Sequence, residues 1–248
     1  MLKIKNNIIL LGTSHVSKQS QKEILETINK YEPEVIGIEL DLKRFKTLMS
    51  KKPQTNKPSL YQTIKEFGTT GAIFGLIAGY MQTKIGKKLN IDPGIDMKTA
   101  YKIAREKKIP TSLIDQDIKI TLKNMSKLSF FKKFTMFTSI TFKSFQKKYK
   151  QKLNFNIKNG VPEEKVVTQL ISLVKREVPD LYNILIDDRN KYMVKRLLKL
   201  KEKHDGYILA VVGAGHVEGM AKLLDKEFPE KSSQTILEHK FIVEIKKN

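Results

Sequence analysis

Leu10-Leu11-Gly12-Thr13-Ser14-His15-Val16, near the start of the chain, is nearly repeated as Val211-Val212-Gly213-Ala214-Gly215-His216-Val217 near its end. Each stretch has two aliphatic residues closing an apolar run, then a glycine, two small residues, a histidine and a valine. An apolar run that ends in glycine before helix-compatible sequence predicts a buried strand turning into a helix. Both histidines would then lie just beyond the carboxyl end of a strand, where open α/β sheets build their sites.

The amino-acid composition sets limits on the fold and on the chemistry. With 248 residues, 40% of them hydrophobic, the chain can bury a sizeable core. We expect one α/β domain over residues 1–248, with a mainly parallel central sheet flanked by helices and a helical insertion at about 55–155. The absence of cysteine excludes disulfides, thiolate metal ligands and a cysteine nucleophile. Any metal must therefore be held by His and carboxylates, which suits Zn, Mn, Co or Fe.

The charge is strongly positive, at +21, and comes mainly from lysine, since only five of the 47 basic residues are arginine. A lysine excess gives diffuse, salt-sensitive attraction, whereas base and phosphate recognition favour arginine. Nucleic acid is therefore disfavoured as a partner, and two interpretations stay open: a lysine-rich proteome or an anionic membrane surface. No signal peptide and no apolar run of about 18–20 residues is present, so we expect a protein that is cytoplasmic or peripheral at the membrane.

The pattern of apolar residues predicts a strand, helix, strand unit at the start of the chain. A crossover of this kind makes its two strands parallel. Strands are expected at both ends of the chain and helices in its middle. The predicted strands are Asn7–Leu11, Val35–Leu40, Pro110–Asp115, Tyr207–Val212 and an edge strand at Phe241–Ile245, and the predicted helices are Ser17–Tyr31, Leu42–Met49, Pro93 to about Lys107, Pro162–Glu177, Pro179–Lys203 and one beginning near Val217.

Two segments depart from the globular pattern. Gly68–Met81 is uncharged and contains four glycines, and Leu128–Lys150 interleaves six of the 12 phenylalanines with lysine. An aromatic stripe flanked by lysine is typical of an interfacial helix. It is also typical of helices that pack on each other or form a homodimer, so both an anionic membrane surface and a second copy of the chain remain expected partners.

If the strands share one sheet, polar groups gather at one rim. Glu39 is the one polar residue of the otherwise apolar stretch Val35–Leu40, and a buried carboxylate is costly unless it is paired or bound to a metal. Arg44 is a plausible partner for it. Histidine with carboxylate at an open position is the ligand set of catalytic metals, although single histidines at strand ends are often only hydrogen-bonded. The rim residues are His15, Glu39, Asp115, Asp117 and His216, with Gly12 and Gly213 at the ends of their strands.

The glycines of the second stretch follow a predicted strand with the spacing Gly213-x-Gly215-x-x-x-Gly219. This spacing is similar to that of a dinucleotide-binding motif. That fold needs a further strand ending in an acidic residue that can hold the ribose. The roughly thirty remaining residues offer no such strand, so we reject this interpretation.

Several motifs, in order, resemble the TraB/PrgY family. They are Gly12–Ser17, Pro33–Asp41 with Arg44, Pro93-Gly94 with Asp96-Met97, Leu113–Asp115 leading to Asp117-Ile118, Asp188-Arg189 with Met193, and Gly213-Ala214-Gly215-His216.

The resemblance implies an α/β fold related to the erythromycin-esterase and ChaN-like proteins, and a metal-dependent peptidase site. It implies His15, His216 and Glu39 as ligands of a divalent ion (Mn, Co or Zn), and Glu39, Arg44 and Arg189 as catalytic residues. Two departures stand out: Gln116 replaces an expected arginine, and the hydrophobic C-terminal membrane region of many relatives is missing. The soluble part of a membrane-anchored protein is therefore an alternative expectation beside a cytoplasmic or peripheral protein.

The expected function is a metal-dependent hydrolase that cleaves peptides at or near a membrane surface. Two alternatives belong to other classes. One is a non-catalytic protein that sequesters a peptide or haem, and the other is a membrane-surface adaptor that uses the lysine- and phenylalanine-rich segments.

Overall fold

A five-stranded sheet forms the centre of the computed structural model, which describes residues 1–13, 17–50, 94–128, 171–172, 175–176 and 179–229, with the backbone alone for residues 17–19. The spatial order of the strands is β1-β2-β5-β3-β4. All neighbours run parallel except β1, which is antiparallel to β2. The strands are β1 (Leu2–Lys5), β2 (Ile8–Thr13), β3 (Val35–Ile38), β4 (Thr111–Leu113) and β5 (Ile208–Gly213).

Helices cover both faces of this sheet. One apolar core lies between the sheet and helices α1 and α3, and the other lies between the sheet and helices α6 and α7. Strands buried on both faces read as continuous aliphatic runs, as β2 and β5 do. The mixed, mainly parallel α/β fold is therefore confirmed. The helices are α1 (Ser17–Tyr31), α2 (Leu42–Met49), α3 (Ile95–Glu106), α4 (Ile118–Ser126), α5 (Pro179–Tyr182), α6 (Asp188–Lys201) and α7 (Ala214–Glu227), with a π-helical turn at Asn183–Asp187.

The two strands that carry the matching histidine stretches are neighbours in the sheet. In their parallel register Gly12 lies opposite Val212, and Thr13 lies opposite Gly213. The two stretches are thus offset by one residue. Strand β5 also lies between β2 and β3. The two strands of the predicted strand, helix, strand unit, β2 and β3, are therefore parallel but are not neighbours in the sheet.

The first strand, β1, is an addition to the predicted elements. Leu2–Lys5 alternates apolar and basic residues, and it pairs with β2 through a turn at Asn6 and Asn7. Both asparagines have positive φ, 43° and 63°, which is the conformation of the tight turns that suit β-hairpins. The alternation and the Asn-Asn pair were the sequence signals of this hairpin.

The range 55–155, in which a helical insertion is expected, is described only at residues 94–128. Residues 94–128 lie within it, yet they supply α3 to one core and β4 to the sheet. The short strand and the buried face of α3 tie this part to the main domain. Of the other expected segments, Gly68–Met81, residues 129–150 and Phe241–Ile245 lie outside the described residues, and Pro162–Glu177 is described only at 171–172 and 175–176, which are helical.

Among the helices that the structure describes, none has both the length and the apolar character needed to cross a membrane.

Gly12 allows the end of β2 to contact α7 closely. A Cβ atom at this position would lie 2.6 Å from Val217 Cγ2 and 3.0 Å from the Cα of Ala214. We therefore expect Gly12→Ala to lower the free energy of unfolding by about 1–3 kcal/mol, as overpacked cores do. In a Val217→Ala background the same change should cost less, because the methyl group it meets is gone. Urea denaturation of the four proteins measures this coupling, and an equal cost in both backgrounds would contradict the packing argument.

Candidate functional site

The carboxyl ends of the parallel strands bring the predicted rim residues to one edge of the sheet. Glu39 follows β3 directly, Asp115 follows β4 by two residues, and His216 lies in the first turn of α7 after β5. The helix begins at Ala214, three residues earlier than predicted, so His216 is helical. Strand β2 ends at Thr13, two residues before His15, which itself lies outside the described residues.

Arg189 joins the two carboxylates. It is the second residue of α6, and its guanidinium forms a two-pronged contact with Asp115, from Nε to Oδ1 (3.0 Å) and from Nη2 to Oδ2 (2.7 Å). Its Nη2 also donates to Glu39 Oε1, and its Nη1 donates to the carbonyl of Leu185 at 3.4 Å. Burial by itself would lower the pKa of Arg189, but the adjacent carboxylates raise it above its usual range. Arg189 is thus a permanent cation with its donors directed into the protein.

The partner of Arg44 differs from the predicted one. Arg44 donates from Nη1 to Asp115 Oδ2 at 2.9 Å, whereas Glu39 is paired with Arg189. The cause is the start of α2, where Asp41 caps the backbone N–H groups of Lys43 and Arg44 and so fixes Arg44 in the first turn. The Arg44 side chain remains 43% exposed, so Arg44 lies at the border between the cluster and solvent.

Glu39 is buried and contacts three groups of different elements. Its Oε2 accepts from the backbone N–H of Gly213 at 2.6 Å, and its Oε1 lies 3.3 Å from His216 Nε2 in addition to its contact with Arg189. Burial raises the pKa of this carboxyl. The charge and hydrogen bond of His216, the charge of Arg189 and the Gly213 N–H outweigh burial and lower the pKa well below its usual range. Glu39 is therefore a carboxylate across the physiological pH range.

His216 is held from its other side by Asn190. The two ring nitrogens face different acceptors: Nδ1 lies 2.7 Å from Asn190 Oδ1, and Nε2 faces Glu39. Sequence reasoning missed Asn190. The signal was its spacing, because Asn190 precedes Met193, Val194 and Leu197 by three, four and seven residues and so belongs to the inward face of α6.

The remaining candidates have other surroundings. Asp117 is exposed and caps α4, accepting from the Lys119 N–H at 2.8 Å, so it lies apart from the cluster. Gln116, which replaces the expected arginine, is buried and donates to Thr121 Oγ1 at 3.0 Å. Its side chain therefore adds no charge to the site.

The described residues, which leave out His15, contain no group of three or more side chains arranged to hold a metal ion. Glu39 and His216 are the described pair of candidate ligands. The oxygens of Asp115 already accept from Arg189, from Arg44 and from the Gln116 N–H. Asp115 therefore orients the two arginines instead of offering itself to a metal.

The fold and the site define an α/β protein with a buried Arg–carboxylate–His cluster at the carboxyl edge of its sheet. Residues 3–227 match the TraB/PrgY/gumN family, and the chain belongs to that family. It is 38% identical over 224 residues to the uncharacterised protein MJ1365 of Methanocaldococcus jannaschii, covering 89% of this chain and 54% of that one. It is 23% identical over 242 residues to the TraB domain-containing proteins of mouse and human, covering 88% of this chain and 62% of each relative. The chain thus spans a little over half the length of these relatives.

Substitutions of Arg189 and of Arg44 should differ sharply in their effect on the free energy of unfolding. Replacing Arg189 by methionine leaves Glu39 and Asp115 buried without their shared cation, and we expect a loss of about 3–5 kcal/mol in the free energy of unfolding. Arg44→Met is the matched control at a half-exposed position, where we expect a change below about 1 kcal/mol. Urea denaturation at neutral pH measures both. Equal losses would show that Arg189 does not hold the cluster together.

The low pKa of Glu39 makes stability depend on acid. The pKa of the Glu39 carboxyl is lower in the folded protein than its unfolded value of 4.5. Its contribution to the free energy of unfolding is therefore complete above pH 4.5 and declines as the pH falls through and below 4.5. We expect the free energy of unfolding of the native protein to fall more steeply from pH 6 to pH 3 than that of Glu39→Gln. Denaturation series at several pH values compare the slopes, and parallel slopes would refute the assignment.

Proposed function

We propose that this protein is a metal-dependent hydrolase that acts on peptides carrying a carboxylate near the scissile bond. One observation carries the proposal: His216 Nε2 and Glu39 Oε1 lie 3.3 Å apart. Two ligands of one tetrahedral ion, each at about 2.0–2.1 Å, are separated by roughly 3.3 Å. A nitrogen and an anionic oxygen at this spacing fit a shared divalent ion such as Mn, Co or Zn.

The surroundings of the pair support this fit. Metal-binding histidines usually donate their other ring N–H to an oxygen, which fixes the ring, and Asn190 Oδ1 faces Nδ1 of His216. Gly213 and Arg189 hold the Glu39 carboxylate from two further directions. His15 is proposed as the third ligand, since its stretch follows the strand that neighbours β5.

The same contacts assign different tasks to the charged residues. Glu39 is a weak base because its pKa is lowered, so it suits a ligand better than a general base. Arg189 directs its donors to Asp115, Glu39 and Leu185, so it positions the carboxylates. Arg44 is tied to Asp115 by one nitrogen and is partly exposed, so it is the arginine available to bind a substrate carboxylate or a developing oxyanion.

When bound, a divalent ion lowers the pKa of a water and polarises a carbonyl. The two carboxylates of the site are already matched by two guanidinium groups, so the bound ion would leave the site net positive. This favours substrates with an anionic group, such as the terminal carboxylate of a peptide. The overall charge of +21 supports a place of action near an anionic membrane surface.

Metal content tests the proposal. We expect protein purified without a metal-affinity tag, and then soaked with Mn²⁺, Co²⁺ or Zn²⁺, to hold one divalent ion per chain by mass spectrometry. The double variant His15→Ala/His216→Ala should lose that ion. His204→Ala is the matched control, since His204 faces Glu34, which precedes β3 at its amino end. Absence of the ion in the native protein, or its retention in the double variant, would overturn the assignment.

The substrate class requires a second measurement on the metal-loaded protein. A peptide library with free carboxyl ends, compared with the same peptides amidated, should be cleaved preferentially in its free form. Arg44→Met should reduce that preference. Tight peptide binding without turnover would instead favour the non-catalytic sequestering function.

A further inference from the structure

Large apolar side chains are exposed at the edge of the sheet that carries the candidate site. Leu42, the first residue of α2, is 59% exposed, and Ile118 and Ile120, in the first turn of α4, are 38% and 43% exposed. We refer to these three residues as the apolar rim. Exposed apolar residues that are scattered singly are normal, whereas a group of them at one place marks an interaction surface. Their positions in the fold therefore decide what they indicate.

The sheet brings the starts of α2 and α4 to the same place. The two helices follow the neighbouring parallel strands β3 and β4, so both begin beyond the carboxyl edge. Between strand and helix, the backbone N–H of Asp115 donates to the carbonyl of Leu40 at 3.3 Å. Leu42 lies two residues after one member of this pair, and Ile118 lies three residues after the other. The apolar rim thus belongs to one part of the surface, beside the contact of Arg44 with Asp115.

The charge around the apolar rim is positive. Lys43 and Lys46 on α2 and Lys123 on α4 are exposed. Neither helix contains an aspartate or a glutamate, and the exposed Asp117 caps α4. Binding to a membrane surface is strengthened by the apolar area that enters the headgroup layer and by the attraction of lysines to anionic lipids. The apolar rim and its lysines supply both contributions.

A second pair of exposed apolar residues has different surroundings. Leu2 and Ile4 are 42% and 40% exposed on β1, the strand at the other end of the sheet. Leu2 lines a groove together with Glu23, Glu26 and Lys30 of α1, and the two lysines of β1 are paired with carboxylates of α7. Carboxylates repel an anionic surface, so equal exposure does not indicate an equal partner. This pair provides the internal comparison for the apolar rim.

We propose that the apolar rim docks this protein on an anionic lipid membrane, with the carboxyl edge of the sheet facing the bilayer. Leu42, Ile118 and Ile120 enter the headgroup layer, and the lysines of α2 and α4 contact the anionic headgroups. This docking needs neither a metal nor turnover. Its consequence, that the site takes substrates lying in the headgroup layer, rests on the proposed function. Loss of docking and loss of hydrolysis are thus separate outcomes.

Vesicle sedimentation of the full chain tests the docking. We expect binding to vesicles of phosphatidylcholine mixed with phosphatidylserine, weaker binding to phosphatidylcholine alone, and a decline as the salt concentration rises. Ile118→Ser/Ile120→Ser should weaken binding to the mixed vesicles by about tenfold or more. The matched control Leu2→Ser/Ile4→Ser, which changes two side chains of similar exposure, should leave it unchanged. Equal binding by the two double variants, or no binding by the native protein, would overturn the proposal.

The orientation on the membrane can be measured directly, because the chain has no cysteine of its own. Leu42→Cys and Leu2→Cys each accept one environment-sensitive fluorophore. With the mixed vesicles, we expect a blue shift and brighter emission for the label of Leu42→Cys and no change for that of Leu2→Cys. A shift at both positions, at Leu2→Cys alone or at neither would overturn the proposed orientation. If the serine variants do not fold, as judged by circular dichroism, these two labels decide.

Discussion

The two-pronged contact between Arg189 and Asp115, extended to Glu39, is the interaction on which the site depends. Neighbouring parallel strands deliver two carboxylates to one buried edge, where they would repel each other without a cation between them. Arginine suits this task because its planar fork binds one carboxylate through two nitrogens and still reaches a second. The π-helical turn just before α6 supplies the Leu185 carbonyl that receives a further N–H of the same side chain.

The hydrogen bonds of this network restrict the contacts that each of its residues can make with a ligand. Asp115 accepts hydrogen bonds from both arginines and so acts through them, whereas Glu39 accepts from Arg189 and from the Gly213 N–H and also faces His216. Arg44 joins the network at its solvent side. Arg44 is the most exposed of the charged residues in this network, so it is the one that a ligand arriving from solvent would contact first.

The sequence predicted the parts of this arrangement that follow from local pattern. The bounds of α1 and α2 agree with the structure, and the matching histidine stretches correctly indicated two buried parallel strands, because aliphatic runs and small residues at strand ends reflect burial and turn geometry directly. Pairings between distant residues do not follow from such patterns. The expected Glu39–Arg44 pair was close in sequence, but the capped start of α2 directs Arg44 to Asp115, 71 residues away.

The glycines at equivalent places in the two matching stretches have different roles. Gly12 leaves room for Val217 and so serves packing, whereas Gly213 offers its N–H to Glu39 and so belongs to the site. In the sheet the copies are offset by one residue, which places equivalent glycines beside different neighbours. The feature that joins them is the parallel pairing of β2 with β5, since it brings the ends of both strands to one edge. Sequence similarity between the stretches identified that edge, and contacts from α6, which has no place in the motif, determine what Glu39 and His216 do there.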